Sequence, residues 1–194
     1  MSQPTGARKA VNDLLGCAGV IALLAIIGAV VTIYDGIKQN QLRNTYGELA
    51  DVCDGVSHPD HPAYRGESGI HPAIGFLANG NVALNPIPGQ AQTRSIEAIE
   101  LVLCIGERHE ELIERCPYLG NNYVERIQTK LAVILYEVKS GEVVASETLV
   151  SGSPEACQSI EEFGTSSNGV TKTHKTSVGD LQIERWLATF TVID

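Results

Sequence analysis

Basic residues are scarce in this sequence, and their scarcity excludes one class of partner. The chain carries 14 Lys and Arg against 23 Asp and Glu, a formal net charge of −9 at pH 7. Proteins that bind nucleic acid neutralise backbone phosphates with clustered Lys and Arg. An acidic surface also disfavours contact with anionic lipid headgroups. We therefore expect no nucleic-acid partner.

The signatures of several enzyme classes are also missing. The sequence contains no Gly-x-Ser-x-Gly nucleophile elbow, no phosphate-binding loop and no dinucleotide-binding fingerprint. No two cysteines have the Cys-x-x-Cys spacing of thioredoxin-like redox centres or of paired zinc knuckles. The sequence therefore predicts no cofactor and offers no recognised catalytic motif.

Charge is absent from one long N-terminal run, Leu14–Tyr34. At about 1.5 Å per residue, a helix over these 21 residues is roughly 30 Å long, the thickness of the hydrocarbon core of a bilayer. Tyr34 falls where an interfacial aromatic ring would lie. A buried core helix is a poorer interpretation because every face of this run is apolar. The run predicts an uncleaved transmembrane signal anchor.

Two other interpretations of the same run fit less well. The Leu-Leu-Gly-Cys sequence ending at Cys17 is similar to a lipoprotein processing site, but such a site requires its apolar run before the cysteine. Arg8 and Lys9 are similar to the positive start of a cleaved signal peptide. However, the apolar run is longer than usual and no clean Ala-x-Ala site ends it.

The orientation of the anchor depends on its flanks. Arg8 and Lys9 precede it while Lys38 and Arg43 follow it, so the bias of positive charge towards the cytoplasm is nearly balanced. The short N-terminus and the long acidic remainder favour an extracytoplasmic C-terminal part. We expect a plasma-membrane protein with four segments: a cytoplasmic N-terminus (1–13), the anchor (14–34), a helical stalk (35–51) and an extracytoplasmic domain (52–194).

Turn signals and periodicity indicate the fold of that domain. Asn79-Gly80 and Ser140-Gly141 each separate two apolar runs and predict β-hairpins. Near the C-terminus, four apolar residues follow the i, i+3, i+4, i+7 spacing of an amphipathic helix, which Ser177 or Asp180 would cap: Ile183, Trp186, Leu187 and Phe190. The predicted fold class is α+β, with an N-terminal transmembrane helix, a mainly antiparallel sheet of roughly five to seven strands, and a C-terminal helix.

Four cysteines remain once Cys17 is assigned to the anchor: Cys53, Cys104, Cys116 and Cys157. An even number in an exported domain predicts two disulfides with three possible connectivities, although free buried thiols and zinc ligation remain alternatives. Cys104 and Cys116 flank a charged segment, and a turn centred near Glu110 would set them opposite each other on an antiparallel pair. That arrangement favours the pairing of Cys104 with Cys116 and of Cys53 with Cys157.

One loop gathers polar side chains that are capable of chemistry: His58, Asp60, His61 and His71. Imidazole and carboxylate groups are ligands of divalent cations, so this loop is the candidate metal site. Its spacing matches no catalytic signature such as His-Glu-x-x-His, and the simpler interpretation is a solvated loop.

The second half of the chain carries a set of short motifs over roughly residues 100–190. They consist of the following residues: Leu101, Val102, Cys104, Cys116, Tyr118, Arg126, Gln128, Lys139, Gly141, Glu142, Val143, Val144, Ala145, Gly152, Pro154, Cys157, Trp186 and Leu187. In these residues the chain resembles an uncharacterised family of bacterial membrane-anchored or exported envelope proteins that contain cysteine. Ser140 stands where that pattern usually has threonine. The resemblance implies a recurrent exported domain and brings no catalytic residues.

These observations favour a single-pass membrane protein that presents a disulfide-stabilised binding domain to a protein or envelope partner. One alternative is a metal-dependent hydrolase that uses His58, His61 and His71. Another is an accessory subunit of a membrane complex, whose span would pack through small residues at Ala18, Ala22, Ala25 and Ala29.

Overall fold

The computed structural model describes residues 27–30, 32–93, 95–163 and 169–193. It divides into two compact units, Met1–Asn44 and Thr45–Asp194. Residues 27–30 and 32–46 are helical, and a 3-10 helix, Gly47–Asp54, follows. Within the predicted stalk, the helix therefore changes to 3-10 geometry at Gly47. Leu49 and Val52 of the 3-10 helix are fully buried.

The predicted anchor, Leu14–Tyr34, lies mostly outside the described residues. Among the residues that are described, no helix combines the length and the apolar character needed to cross a bilayer. The transmembrane assignment therefore stays a prediction.

The second unit is α+β, as predicted, and its sheet is mainly antiparallel. Its described strands are β1 (Gly69–Ile70), β2 (Ala73–Leu77), β3 (Leu101–Tyr118), β4 (Asn122–Glu137), β5 (Val143–Val150), β6 (Thr171–Lys175) and β7 (Val192–Ile193). The C-terminal helix is Asp180–Thr191. A short 3-10 helix, Ile96–Ala98, precedes β3.

The antiparallel pair β3–β4 forms the centre of the main sheet. Its register runs from Leu101 opposite Glu137 to Tyr118 opposite Asn122. β2 pairs in parallel with only the first part of β3, residues 101–105. On the outer edge of β4, β5 pairs antiparallel with residues 130–136 and β6 pairs in parallel with residues 123–127. Separately, β1 and β7 form a two-stranded antiparallel sheet.

The chain reverses between β3 and β4 at Leu119-Gly120-Asn121, not near Glu110 as the sequence predicted. Gly120 and Asn121 both have positive φ, +76° and +59°, which these two residue types tolerate best. The charged segment around Glu110 instead continues β3 as an exposed strand, and Glu111 forms a salt bridge with Lys130 of β4. We name residues 107–118 of β3 and residues 122–131 of β4 the arm.

Two predicted turns have different outcomes. Ser140-Gly141 connects β4 to β5 as an antiparallel hairpin, which confirms that prediction. The chain also reverses at Asn79-Gly80, where Gly80 has φ +75°. Only one isolated bridge, Phe76 to Val82, forms there among the described residues. The predicted second strand of that hairpin is therefore wrong, since the segment after Val82 continues as loop.

The core lies between one face of the sheet and the C-terminal helix. Leu103, Val133 and Leu135 of the sheet form one buried cluster with Ile183 and Leu187 of the helix. Trp186 and Phe190 pack against this cluster while partly exposed. The predicted helical stripe is thereby confirmed. The predicted cap is wrong, because the N-cap residue is Gly179 and no side chain caps the helix.

A substitution at Gly75 of β2 tests how closely the loop after Gly80 packs on the sheet. A Cβ at this position would lie 2.6 Å from the carbonyl oxygen of Ala83. We expect Gly75→Ala to lower the free energy of unfolding by about 1–3 kcal/mol, because the crowded backbone must move. Urea unfolding followed by the fluorescence of the single tryptophan, Trp186, measures this change.

Gly89→Ala is the matched control, because a Cβ at Gly89 would meet nothing within 4 Å. Its unfolding free energy should stay within about 0.5 kcal/mol of the wild-type value. Equal losses of unfolding free energy in the two variants would contradict the close packing of the loop on Gly75.

Candidate functional site

The four cysteines of the domain form two disulfides, but not in the favoured pairing. Cys53 is bonded to Cys104 and Cys116 is bonded to Cys157, with Cα–Cα distances of 5.7 and 6.3 Å. The predicted bond between Cys104 and Cys116 is impossible in this fold because both lie on β3. Twelve residues of extended strand separate them by roughly 40 Å. The predicted bond between Cys53 and Cys157 is therefore also wrong.

Both disulfides attach β3 to a segment that is distant in sequence. The first ties the buried start of β3 to the 3-10 helix Gly47–Asp54. The second ties the end of the arm to the loop that follows β5. They span 51 and 41 residues, and the chain-entropy model gives about 4 kcal/mol of stabilisation for each. This agrees with a structural role for the cysteines.

The far end of the arm carries the most exposed apolar side chains of the described domain. Leu119 is 94% exposed and Ile160 is 81% exposed. Together with neighbouring rings they border a hollow of about 660 Å³. We define the apolar tip as the following five residues: Pro117, Tyr118, Leu119, Ile160 and Phe163.

The loop that contributes Ile160 and Phe163 is held firmly against the arm. The Tyr118 hydroxyl donates a hydrogen bond of 2.6 Å to the carbonyl of Gln158, one residue beyond the Cys157 disulfide. The rings of Tyr118 and Phe163 lie 5.2 Å apart.

Arg126 of β4 fixes the start of the same loop. Its guanidinium donates to the carbonyl oxygens of Pro154, at 2.8 Å, and Glu155, at 2.9 Å. It also forms an ion pair with Glu114 across the arm. The apolar tip is therefore a prearranged surface, supported by a disulfide, hydrogen bonds and a ring contact.

A second hollow, of about 570 Å³, lies on the face of the sheet opposite the one that packs against the C-terminal helix. Its lining includes the Cys53–Cys104 disulfide, Phe76 and Ile134, with Asp51 and Asp54 among its polar groups. Its described lining contains no His, Ser or Lys. The hollow therefore offers an apolar surface with two acids, and no set of groups for nucleophilic catalysis.

The structure places the histidines of the candidate metal loop in separate interactions. His58 Nε2 lies 2.8 Å from an Asp51 carboxylate oxygen. His61 Nδ1 lies 3.0 Å from the carbonyl oxygen of Ile99, so this nitrogen carries the proton. The rings of His58 and His61 meet edge to face, 5.9 Å apart. No described contact joins either histidine to His71.

Because of these interactions, the residues of the predicted metal site do not come together. Among the described residues, the one group whose ligand atoms lie within 4.8 Å of one another is Glu114, Cys116 and Cys157. Its two sulfurs are already bonded to each other. The structure does not assemble His58, Asp60, His61 and His71 into such a group. The hydrolase alternative thus has no geometric support in the described part of the chain.

His71 is buried and has a structural partner on each ring nitrogen. Nδ1 lies 2.6 Å from a Glu100 carboxylate oxygen, and Nε2 lies 2.8 Å from the carbonyl oxygen of Glu67. Both partner oxygens accept a hydrogen bond. The imidazolium form of His71 fits this site best because it donates a hydrogen bond from each ring nitrogen. Burial alone lowers the pKa of His71, but the hydrogen bonds to Glu67 and Glu100 and the Glu100 charge outweigh it and raise the pKa overall.

Sequence patterns did not predict the apolar tip. Leu119 stands directly before a Gly-Asn turn, and Ile160 is an isolated apolar residue in a polar loop. Neither has the periodic neighbours that mark a core-facing residue. An apolar residue placed at a turn is the one local signal that could have identified this surface.

Comparison of the chain with protein-family models, with curated proteins and with solved structures found no match. The resemblance to bacterial envelope proteins therefore stays a prediction.

Peptide mapping without reduction tests the cysteine pairing. We expect linked peptides that contain Cys53 with Cys104 and Cys116 with Cys157, because the Cα atoms of these pairs lie 5.7 and 6.3 Å apart. A peptide that links Cys104 to Cys116 would contradict the continuous strand β3.

The double variant Cys116→Ser/Cys157→Ser tests the contribution of the second disulfide to stability. Its free energy of unfolding should be lower than that of the wild type by about 4 kcal/mol.

His71 makes the stability of the domain depend on pH. Because the folded-state pKa is raised, the stabilisation is complete below the unfolded pKa of about 6.5 and is lost as pH rises through the folded pKa. We expect urea midpoints of the wild type to fall as the pH is raised from about 6 into the alkaline range.

His71→Gln should remove this dependence, while the control His109→Gln, at an exposed position of the arm, should keep it. Identical pH profiles for the His71 variant and the wild type would refute the imidazolium assignment.

Proposed function

We propose that this chain is a single-pass membrane protein whose extracytoplasmic domain binds a protein partner through the apolar tip. The uncharged run Leu14–Tyr34 supports the anchor, since its length matches a bilayer. The pairing of all four domain cysteines supports an oxidising compartment, where disulfides form and persist.

The observation that carries the binding role is the exposure of Leu119 and Ile160 on a rigid support. A lone exposed leucine is ordinary, but here two nearly fully exposed aliphatic side chains border a hollow with two aromatic rings. Aromatic and aliphatic anchors of this kind supply most of the binding energy at protein interfaces.

The second disulfide strengthens this interpretation. It holds the loop of Ile160 and Phe163 in place before any partner arrives. A prearranged surface loses less conformational entropy on binding than a mobile loop does, and it binds more tightly for the same contacts. Such a surface explains why a disulfide lies at the end of the arm, far from the main core.

Tethering to a membrane adds to the binding without any chemistry by the domain. A partner on the same membrane meets the tip at a high effective concentration, so a modest contact area is sufficient.

The metal-dependent hydrolase is the weaker alternative because the loop histidines bind protein groups instead. The accessory-subunit alternative depends on four alanines of the predicted span. Ala18, Ala22 and Ala25 lie outside the described residues, and Ala29 is described as helical.

Site-specific photo-crosslinking in intact cells that make the full chain tests this function. We expect p-benzoylphenylalanine in place of Leu119 to form a covalent adduct, because a bound partner lies within reach of the tip. The control places the same probe at Leu181, which is 68% exposed at the start of the C-terminal helix. No adduct at position 119, or equal adducts at both positions, would refute the binding role of the tip.

A further inference from the structure

We propose that the partner of the apolar tip is the apolar tip of a second copy of this chain, so that two copies form a symmetric dimer. This inference rests on the proposed binding function and specifies its partner. It is based on the shape of the tip, on the charge around it and on the protection of the neighbouring strand edge.

The tip has both halves of a complementary contact on one surface. Leu119 protrudes from the turn, with 94% of its surface exposed. Beside it, Tyr118, Ile160 and Phe163 border the hollow of about 660 Å³. In a two-fold symmetric interface the same patch must complement itself, so a projection and a hollow must lie side by side. The Leu119 side chain of each copy then enters the hollow of the other.

Charge opposes contact between two copies over most of the domain. Residues 45–194 contain 21 Asp and Glu against 10 Lys and Arg, a formal net charge of −11. Two such domains repel each other wherever carboxylates face carboxylates. A surface for self-association must therefore carry less unpaired negative charge than the rest of the domain.

Ion pairs neutralise most of the charged groups around the tip. Lys172 lies 2.8 Å from Glu161 and 5.1 Å from the ring centroid of Phe163. Arg115 pairs with Glu125 at 3.4 Å, next to the tip along the arm. Two carboxylates of the loop, Glu155 and Glu162, have no ion pair among the described residues. Screening of their charge by salt should therefore favour association.

Edge-to-edge strand pairing is a less suitable route to a dimer. Beyond Ile105, the outer edge of β3 pairs with no other strand in the described part of the chain. That edge carries exposed charges at Glu107 and Arg108, and the register shifts twice along it. Charged side chains and bulges are the features by which natural sheets prevent such pairing. The tip is thus favoured over the edge.

The contact is small, and we expect it to be weak in dilute solution. Stable dimers usually bury more than 1,000 Å² in total, whereas one protruding side chain per copy is a modest anchor. Confinement of both copies to one membrane raises their effective concentration and compensates for this weakness. Association should therefore be measured with the full chain in a bilayer.

The full chain, labelled at its amino terminus with donor or acceptor dye and reconstituted in phosphatidylcholine vesicles, provides that measurement. We expect energy transfer to rise with surface density, and more steeply at higher salt. Leu119→Asp should raise the half-maximal density about ten-fold or more, as expected for loss of a central anchor. Leu181→Asp, the same change at an exposed site on the C-terminal helix, should leave it unaltered. Unchanged transfer in Leu119→Asp, with intact disulfides and Trp186 fluorescence, would overturn the inference.

Analysis of the position-119 photo-adduct separates this inference from the function on which it rests. An adduct of two copies of the chain supports both. An adduct with a different protein supports the binding function and overturns the second copy as its partner. An adduct with lipid, or none, overturns both.

Discussion

The long antiparallel ladder between β3 and β4 organises the whole domain. Its strands, 18 and 16 residues long, are joined by a turn at Gly120 and Asn121 that requires positive φ. Every other strand of the main sheet pairs with one of these two. Both disulfides also begin on β3, at Cys104 and Cys116. A domain with this organisation cannot lose the ladder and keep its other contacts.

The ladder has two halves with different supports. Its first half lies in the core, where Leu101, Leu103 and Leu135 are fully buried. The arm extends beyond that helix-covered core, and its β3 strand is exposed over residues 107–115. The arm is stabilised by cross-strand ion pairs, by β6 and by the second disulfide. Surface ion pairs contribute little each, so the disulfide is the main covalent support of the tip.

Local sequence signals were accurate where one residue type is required or where periodicity is strong. Ser140-Gly141 marked the β4–β5 turn, and the stripe from Ile183 to Phe190 marked the C-terminal helix. The charged segment around Glu110 was misleading, because exposed strand and turn are both polar. Its ion-pair partners lie on β4 and β6, distant in sequence, so no local pattern could show that it pairs. One misplaced turn then led to the wrong disulfide pairing.

Composition and short-range periodicity were sufficient to predict the α+β class of the domain, the burial of one helix face in the core and the even set of four domain cysteines. The folded domain was needed to show which cysteines pair, that each histidine of the loop binds a protein group, and that Leu119 and Ile160 share one surface. Those facts depend on which distant segments meet. The meeting of segments is determined by the register of a long ladder, and register is a property of two strands together.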